Sequence, residues 1–155
     1  MLFDARNKRV VIRLALAADS PAAAAVVRAV YDEYGFTWDE DGYHADLFDV
    51  EASYAAFFVA EREGKIVGTA GLTVHGSLER LYVLDSARGD GAGSALLVNV
   101  IAEARRRGHR QLEIWSDKRF EDAHRLYERH GARIVGELVH DDPDSTHEWG
   151  LIVDL

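Results

Sequence analysis

Between Leu78 and Leu97 a short apolar, strand-like run passes into Arg88-Gly89-Asp90-Gly91-Ala92-Gly93 and from there straight into a helical pattern. A glycine-rich turn entering a helix leaves backbone N–H groups unpaired and pointing outward, a concave donor set for an anion such as a pyrophosphate. The spacing of Gly89, Gly91 and Gly93 alone fits either a tight connection or a phosphate cradle. Arg88 at the mouth of the turn adds a guanidinium that can complement phosphate or stay in solvent. No Gly-Lys-Ser/Thr follows the turn, which excludes a Walker A loop.

The 155 residues fit a single domain, 1–155, long enough to bury a core without staples. The chain has no cysteine, which excludes disulfides, thiolate metal sites and cysteine nucleophiles and suits a reducing, cytoplasmic setting. Met1 to Arg9 is charged and carries no apolar leader segment, and no apolar run reaches membrane-spanning length, so no membrane association is expected. A formal net charge of -9 argues against a nucleic-acid partner and suits a cationic one.

Val10 to Leu16 reads as a strand, and Asp19-Ser20-Pro21 supplies a cap and an early proline for an alanine-rich helix through Tyr31. Gly35 to Val50 is acidic and aromatic without a sustained period, a loop of the kind that covers a site, with a short helix near Glu51 to Ala56. Phe57 to Glu61 and Ile66 to Val74 read as antiparallel strands joined through Gly64, and Leu78 to Leu84 as a further strand. Leu96, Leu97, Val100, Ile101 and Ala104 recur at helical spacing up to Arg105-Arg106-Arg107-Gly108. Gln111 to Trp115 is a strand, Asp117 a cap for a helix to His130, and Arg133 to Val139 and Glu148 to Val153 are two closing strands around Asp141 to Ser145. This order indicates an α/β domain with a partly parallel sheet.

The string Val83 to Gly91 also looks like the first motif of Rossmann methyltransferases, which bind S-adenosylmethionine. It departs from that motif at Ala87 and comes too late in the chain to open such a sheet. A second segment, Ala123-His124-Arg125-Leu126-Tyr127-Glu128-Arg129-His130-Gly131, changes the balance. Arg88, Gly91 and Gly93 meet the Gln/Arg-x-x-Gly-x-Gly/Ala signature of the GNAT family of N-acetyltransferases, and Ala123, Leu126, Tyr127 and Gly131 meet its Ala-x-x-Leu-Tyr-x-x-x-Gly helix. The chain therefore resembles that family over nearly its whole length.

The resemblance implies a mixed, mostly antiparallel sheet of six or seven strands, splayed in the middle, with flanking helices. It implies acetyl-CoA as cosubstrate, its pyrophosphate on the backbone of Arg88, Gly89, Asp90, Gly91, Ala92, Gly93 and Ser94, and its pantetheine arm paired with Leu81, Tyr82 and Val83. It also implies that the Tyr127 phenol protonates the departing thiolate, although a tyrosine on an amphipathic helix is otherwise a core residue. The acceptor would be a small-molecule or peptide amine, attacking directly in a ternary complex, and a homodimer is compatible with the family.

Two positions depart from the family pattern. Ser77 stands where many relatives carry a glutamate base, which leaves Glu79, two residues along the same strand face, as the substitute; Glu33 and Glu148 are other carboxylates available. Phe120 stands where many carry an asparagine, so it would pack against the pantetheine rather than bond it. These departures keep open a noncatalytic acyl-CoA-binding module. The histidines His124, His130, His140 and His147 miss the usual ligand spacings, and no metal is expected.

Overall fold

The structure, a computed structural model, describes residues 9–155. The N-terminal stretch read as carrying no leader therefore lies, but for Arg9, outside the described residues. Seven strands form one sheet: β1 (Val11–Leu14), β2 (Ala56–Arg62), β3 (Lys65–Leu72), β4 (Ser77–Val83), β5 (Gln111–Asp117), β6 (Arg133–Val139) and β7 (His147–Asp154). Their spatial order is β1-β2-β3-β4-β5-β7-β6, with every neighbouring pair antiparallel except β4 and β5. Four α-helices flank it: α1 (Ser20–Tyr34), α2 (Val50–Ser53), α3 (Ala92–Arg106) and α4 (Glu121–Arg129).

Residues on β2 alternate between two cores because successive side chains of a strand point to opposite faces. Phe58 and Ala60 join Leu96, Leu97, Val100, Ile101 and Ala104 of α3, while Phe57 and Val59 join Ala23, Val27 and Tyr31 of α1. Both faces are thus covered, which is why β2 reads as a near-continuous apolar run. The β2–β3 hairpin turns at Glu63 and Gly64, with φ of 53° and 76°, the paired left-handed geometry of a two-residue hairpin loop.

Three expectations are corrected in detail. Asp19 stands at the head of α1, but its carboxylate accepts from Leu16 N (2.8 Å) and pairs with Arg13 (2.7 Å) rather than capping the helix. The short helix after the acidic loop is Val50–Ser53, capped by Asp49, whose Oδ1 accepts from Ala52 N, and Ala56 already belongs to β2. Asp117 does not cap α4: it ends β5, and its carboxylate accepts from Arg119 N (2.8 Å) and binds that guanidinium on both oxygens. The helix starts at Glu121, four residues on, because the Asp117–Arg119 pair occupies the turn first.

Candidate active site

Two local irregularities make the site. First, β4 and β5 pair only at Ser77↔Glu113 and Leu78↔Ile114 and then part, so Glu79 to Val83 have no ladder partner on the β5 side. Parallel strands need a crossover, and here α3 supplies it. Second, Gly71 pairs with Glu79 but Thr69 with Tyr82, so two β4 residues, Arg80 and Leu81, oppose Ala70 alone. This bulge puts Arg80 at φ 57°, a left-handed conformation that costs a non-glycine residue about 1 kcal/mol or more.

Its surroundings hold Arg80 in place. Thr69 Oγ1 donates to the Arg80 carbonyl (2.7 Å), and the buried guanidinium donates to Asp46 (2.9 and 3.1 Å) and to the Tyr43 carbonyl (2.7 Å). Its guanidinium also lies 4.8 Å from the Tyr43 ring centre. The Arg80 guanidinium keeps Asp46 ionised against the burial that opposes it, and Tyr54 donates its hydroxyl to the same carboxylate. No glycine marks this bulge, so nothing in the sequence announced it.

The glycine turn closes one end of the split. Asp85–Ala87 forms a single tight turn, then Gly89 and Gly91 take φ of 86° and 85°. The amides of Gly89, Asp90 and Gly91 donate to no backbone carbonyl, and Ala92, Gly93 and Ser94 open α3, whose first bonded amide is that of Ala95 to the Gly91 carbonyl. The Arg88 amide is already bonded to the Asp85 carbonyl (3.2 Å). Its guanidinium binds both oxygens of Glu33 (2.6 Å each) and the Val83 carbonyl (3.0 Å). Arg88 therefore braces the turn, and the same pairing holds Glu33 below its usual carboxylate range, unsuited to act as a base. Asp90 turns its carboxylate to Arg62 (3.1 Å).

Beside this turn runs a groove of about 540 Å³ lined by Leu81, Tyr82, Val83, Arg88, Gly89, Gly91, Ala92, Gly93, Ser94 and Phe120. Arg125 and Arg129 of α4 complete its wall. They are spaced one helical turn apart, a signal for a cationic stripe that sequence reading passed over. On the far side lies a smaller cavity of about 80 Å³, lined by Glu79, Arg80, Tyr127, Asp117, Glu148 and the turn residues Asp142 and Asp144 among others. Leu81, Tyr82, Phe120 and Ala123 line both, so the two spaces meet across the split.

Tyr127 is 4% exposed, and burial pushes its phenol above its ordinary range, so it stays protonated. Glu79 is exposed and reaches the Tyr54 hydroxyl at 3.4 Å. Glu148 is 8% exposed; burial first, then Asp142, Asp117 and Glu79, raise its pKa, while His140 opposes the rise. His124 is buried against Ser116 Oγ (3.1 Å). Phe120 packs edge-on to Tyr34 at 4.8 Å between ring centres and lies near Phe36 and Tyr82.

The sheet opens between β4 and β5, with a glycine turn at the head of the following helix. The model of the Acetyltransferase (GNAT) family matches residues 23–132. This chain belongs to the GNAT acetyltransferases. The methyltransferase alternative falls with that match, since the glycine turn here follows the fourth strand of a mostly antiparallel sheet. An uncharacterized N-acetyltransferase of Escherichia coli strain K12, YjgM, is 32% identical over 126 residues, 73% of this chain and 75% of that protein. An aminoalkylphosphonate N-acetyltransferase of Salmonella typhimurium is 31% identical over 117 residues, 70% of this chain and 74% of that protein. Among solved GNAT folds, the putative acetyltransferase yncA of Salmonella typhimurium, determined with its cofactor acetyl-CoA, superposes with a TM-score of 0.74 at 22% identity, covering 95% of this chain and 94% of that one. No helix among the described residues is long and apolar enough to cross a membrane.

Proposed function

We propose that this GNAT acetyltransferase moves an acetyl group from acetyl-CoA to a primary amine by direct attack in a ternary complex. The observation that carries the reading is the meeting of two spaces at the split: one groove with free amides and cations, and one cavity rich in carboxylates, with Leu81, Tyr82, Phe120 and Ala123 between them. Two ligands seated there would share a wall, which direct transfer requires.

The free amides of Gly89 to Ser94, at the positive end of α3, fit the pyrophosphate of the cosubstrate, and Arg125 and Arg129 fit its remaining phosphate charge. Leu81, Tyr82 and Val83, unpaired toward β5, offer an edge for the pantetheine amides, and Phe120 offers an apolar surface in place of a hydrogen bond. When bound, the thioester supplies the activated acyl group. On this reading Tyr127 holds the proton that the leaving thiolate needs, and its raised pKa keeps that proton available across the physiological range. The acceptor must shed a proton before it attacks, and the Glu79 carboxyl group, open to solvent in the acceptor cavity, provides an exit for it.

A screen of primary amines with acetyl-CoA, followed by release of free thiol, tests the reading. Amine-dependent thiol release that is reduced in Tyr127→Phe supports it. Tight CoA binding without thiol release for any amine would favour the noncatalytic module instead.

A further inference from the structure

The acceptor cavity holds more negative charge than the protein neutralises. Five carboxylates line it, from Glu79, Asp117, Asp142, Asp144 and Glu148, against the single guanidinium of Arg80. Arg80 is already matched by Asp46 (2.9 Å), and Asp117 by Arg119 (2.7 Å). Asp142 accepts from Thr146 N and Oγ1 (2.9 and 2.8 Å), and Asp144 from Thr37 N and Oγ1 (2.8 and 2.7 Å). These dipoles orient the two carboxylates and cancel neither charge.

Glu148 is the telling member. It is 92% removed from solvent (8% exposed), yet its Oε1 accepts no hydrogen bond. His140 Nδ1 lies within ion-pair distance of that oxygen, 3.1 Å, but without the alignment of a hydrogen bond. A buried carboxylate oxygen left without a donor, facing like charges from β4, β5 and the β6–β7 turn, is costly unless a cation joins it.

We infer that the acceptor carries a second cationic centre besides the amine that is acetylated, and that Glu148, backed by Asp142, receives it. The inference rests on the acetyl-transfer reading and names the acceptor class for it. The reacting nitrogen must be neutral when it attacks, so it cannot balance the cavity during transfer. A second ammonium or guanidinium stays charged throughout and can donate to the orphaned Glu148 Oε1. The same excess charge disfavours an acceptor that bears a carboxylate or a phosphonate.

The test uses the whole protein with acetyl-CoA and four acceptors of matched length: a four-carbon diamine, the corresponding monoamine, the amino acid and the aminoalkylphosphonate. The diamine is expected to exceed the monoamine in kcat/KM by at least about tenfold, roughly 1.4 kcal/mol, with both anionic acceptors below the monoamine. Glu148→Gln and, separately, Asp142→Asn are expected to shrink the diamine advantage through KM, with melting curves confirming that each variant is folded. Equal use of diamine and monoamine, a preference for either anionic acceptor, or an undiminished diamine advantage in both folded variants would overturn the inference while leaving acetyl transfer intact. If none of the four releases thiol, acetyl transfer is judged by the wider amine screen, and calorimetry on the CoA-saturated protein still decides the pocket. There the diamine must bind more tightly than the monoamine, and equal affinity refutes the second cationic centre.

Discussion

Gly93→Ala separates the role of the glycine turn in folding from its role in binding. Gly93 is the second residue of α3, with ordinary helical backbone, so an alanine there removes unfolded-state freedom and gains about 0.5 kcal/mol of helix stability. A Cβ at this position would lie 3.4 Å from Leu126 Cδ2 and 3.8 Å from Val83 Cγ2, contacts that cost nothing in the free protein. Both neighbours line the 540 Å³ groove, so the same methyl narrows it where β4 faces α4. The family signature accepts glycine or alanine at this position, so the expected outcome is a melting temperature unchanged or about 1–2 °C higher, with CoA affinity within about threefold of the parent by calorimetry. Gly91→Ala provides the contrast. No atom lies within 4 Å of a Cβ there, but φ is 85°, so the cost of about 1–2 kcal/mol falls on the backbone and lowers the melting temperature by about 2–8 °C while also tilting the free amides. Gly91→Ala is therefore expected to weaken CoA binding by at least about tenfold, and a Gly91→Ala protein that binds CoA as tightly as the parent would refute the assignment of the turn.

Tyr127→Phe should lower kcat by about a hundredfold or more while leaving the CoA dissociation constant within about twofold, since a general acid acts on the rate and not on binding. Because burial raises the phenol pKa, activity should not be lost to Tyr127 ionisation as pH approaches 10, and a parent-like pH profile and rate in the variant would remove it from the mechanism. His44, 1% exposed and stacked on Trp38 at 4.1 Å between ring centres, has its pKa pushed down to about 4, first by burial and then by Arg80. The unfolded chain therefore binds more protons between pH 4 and 6.5, so stability present above pH 6.5 falls by up to about 3 kcal/mol as pH drops through that window. His44→Phe should flatten this part of a denaturant-measured stability profile, and an unchanged slope would mean that His44 does not titrate there. Asp46→Ala leaves the buried Arg80 guanidinium without its partner and should cost about 3 kcal/mol, read as a lower denaturation midpoint. A loss under about 1 kcal/mol would indicate that water reaches Arg80.

Local pattern alone determined which stretches of this chain become helix or strand and where backbone amides stay free ahead of α3. The 3.6-residue recurrence from Leu96 to Ala104, the alternating and apolar runs of β2 to β5, and the glycines before α3 act over a few neighbours, and short-range physics reads them directly. The glycine turn is legible in this way and Tyr127 only through the family motif, whereas Asp19 and Asp117 fail as caps because nearby guanidinium groups, Arg13 and Arg119, hold their carboxylates. Tertiary structure decided everything that depends on residues far apart in the chain. The bulge at Arg80 exists because Asp46 and Tyr43 capture its side chain, and the Arg88 guanidinium, in the groove wall, is paired with Glu33 because α1 packs beside the turn. The acidic cavity joins β4, β5, β7 and the Asp142–Asp144 turn, none of which shows its charge to the others in sequence. Electrostatic cost is set by distance and burial, and only the packed sheet brings Glu148 into range of Asp142, Asp117 and Glu79.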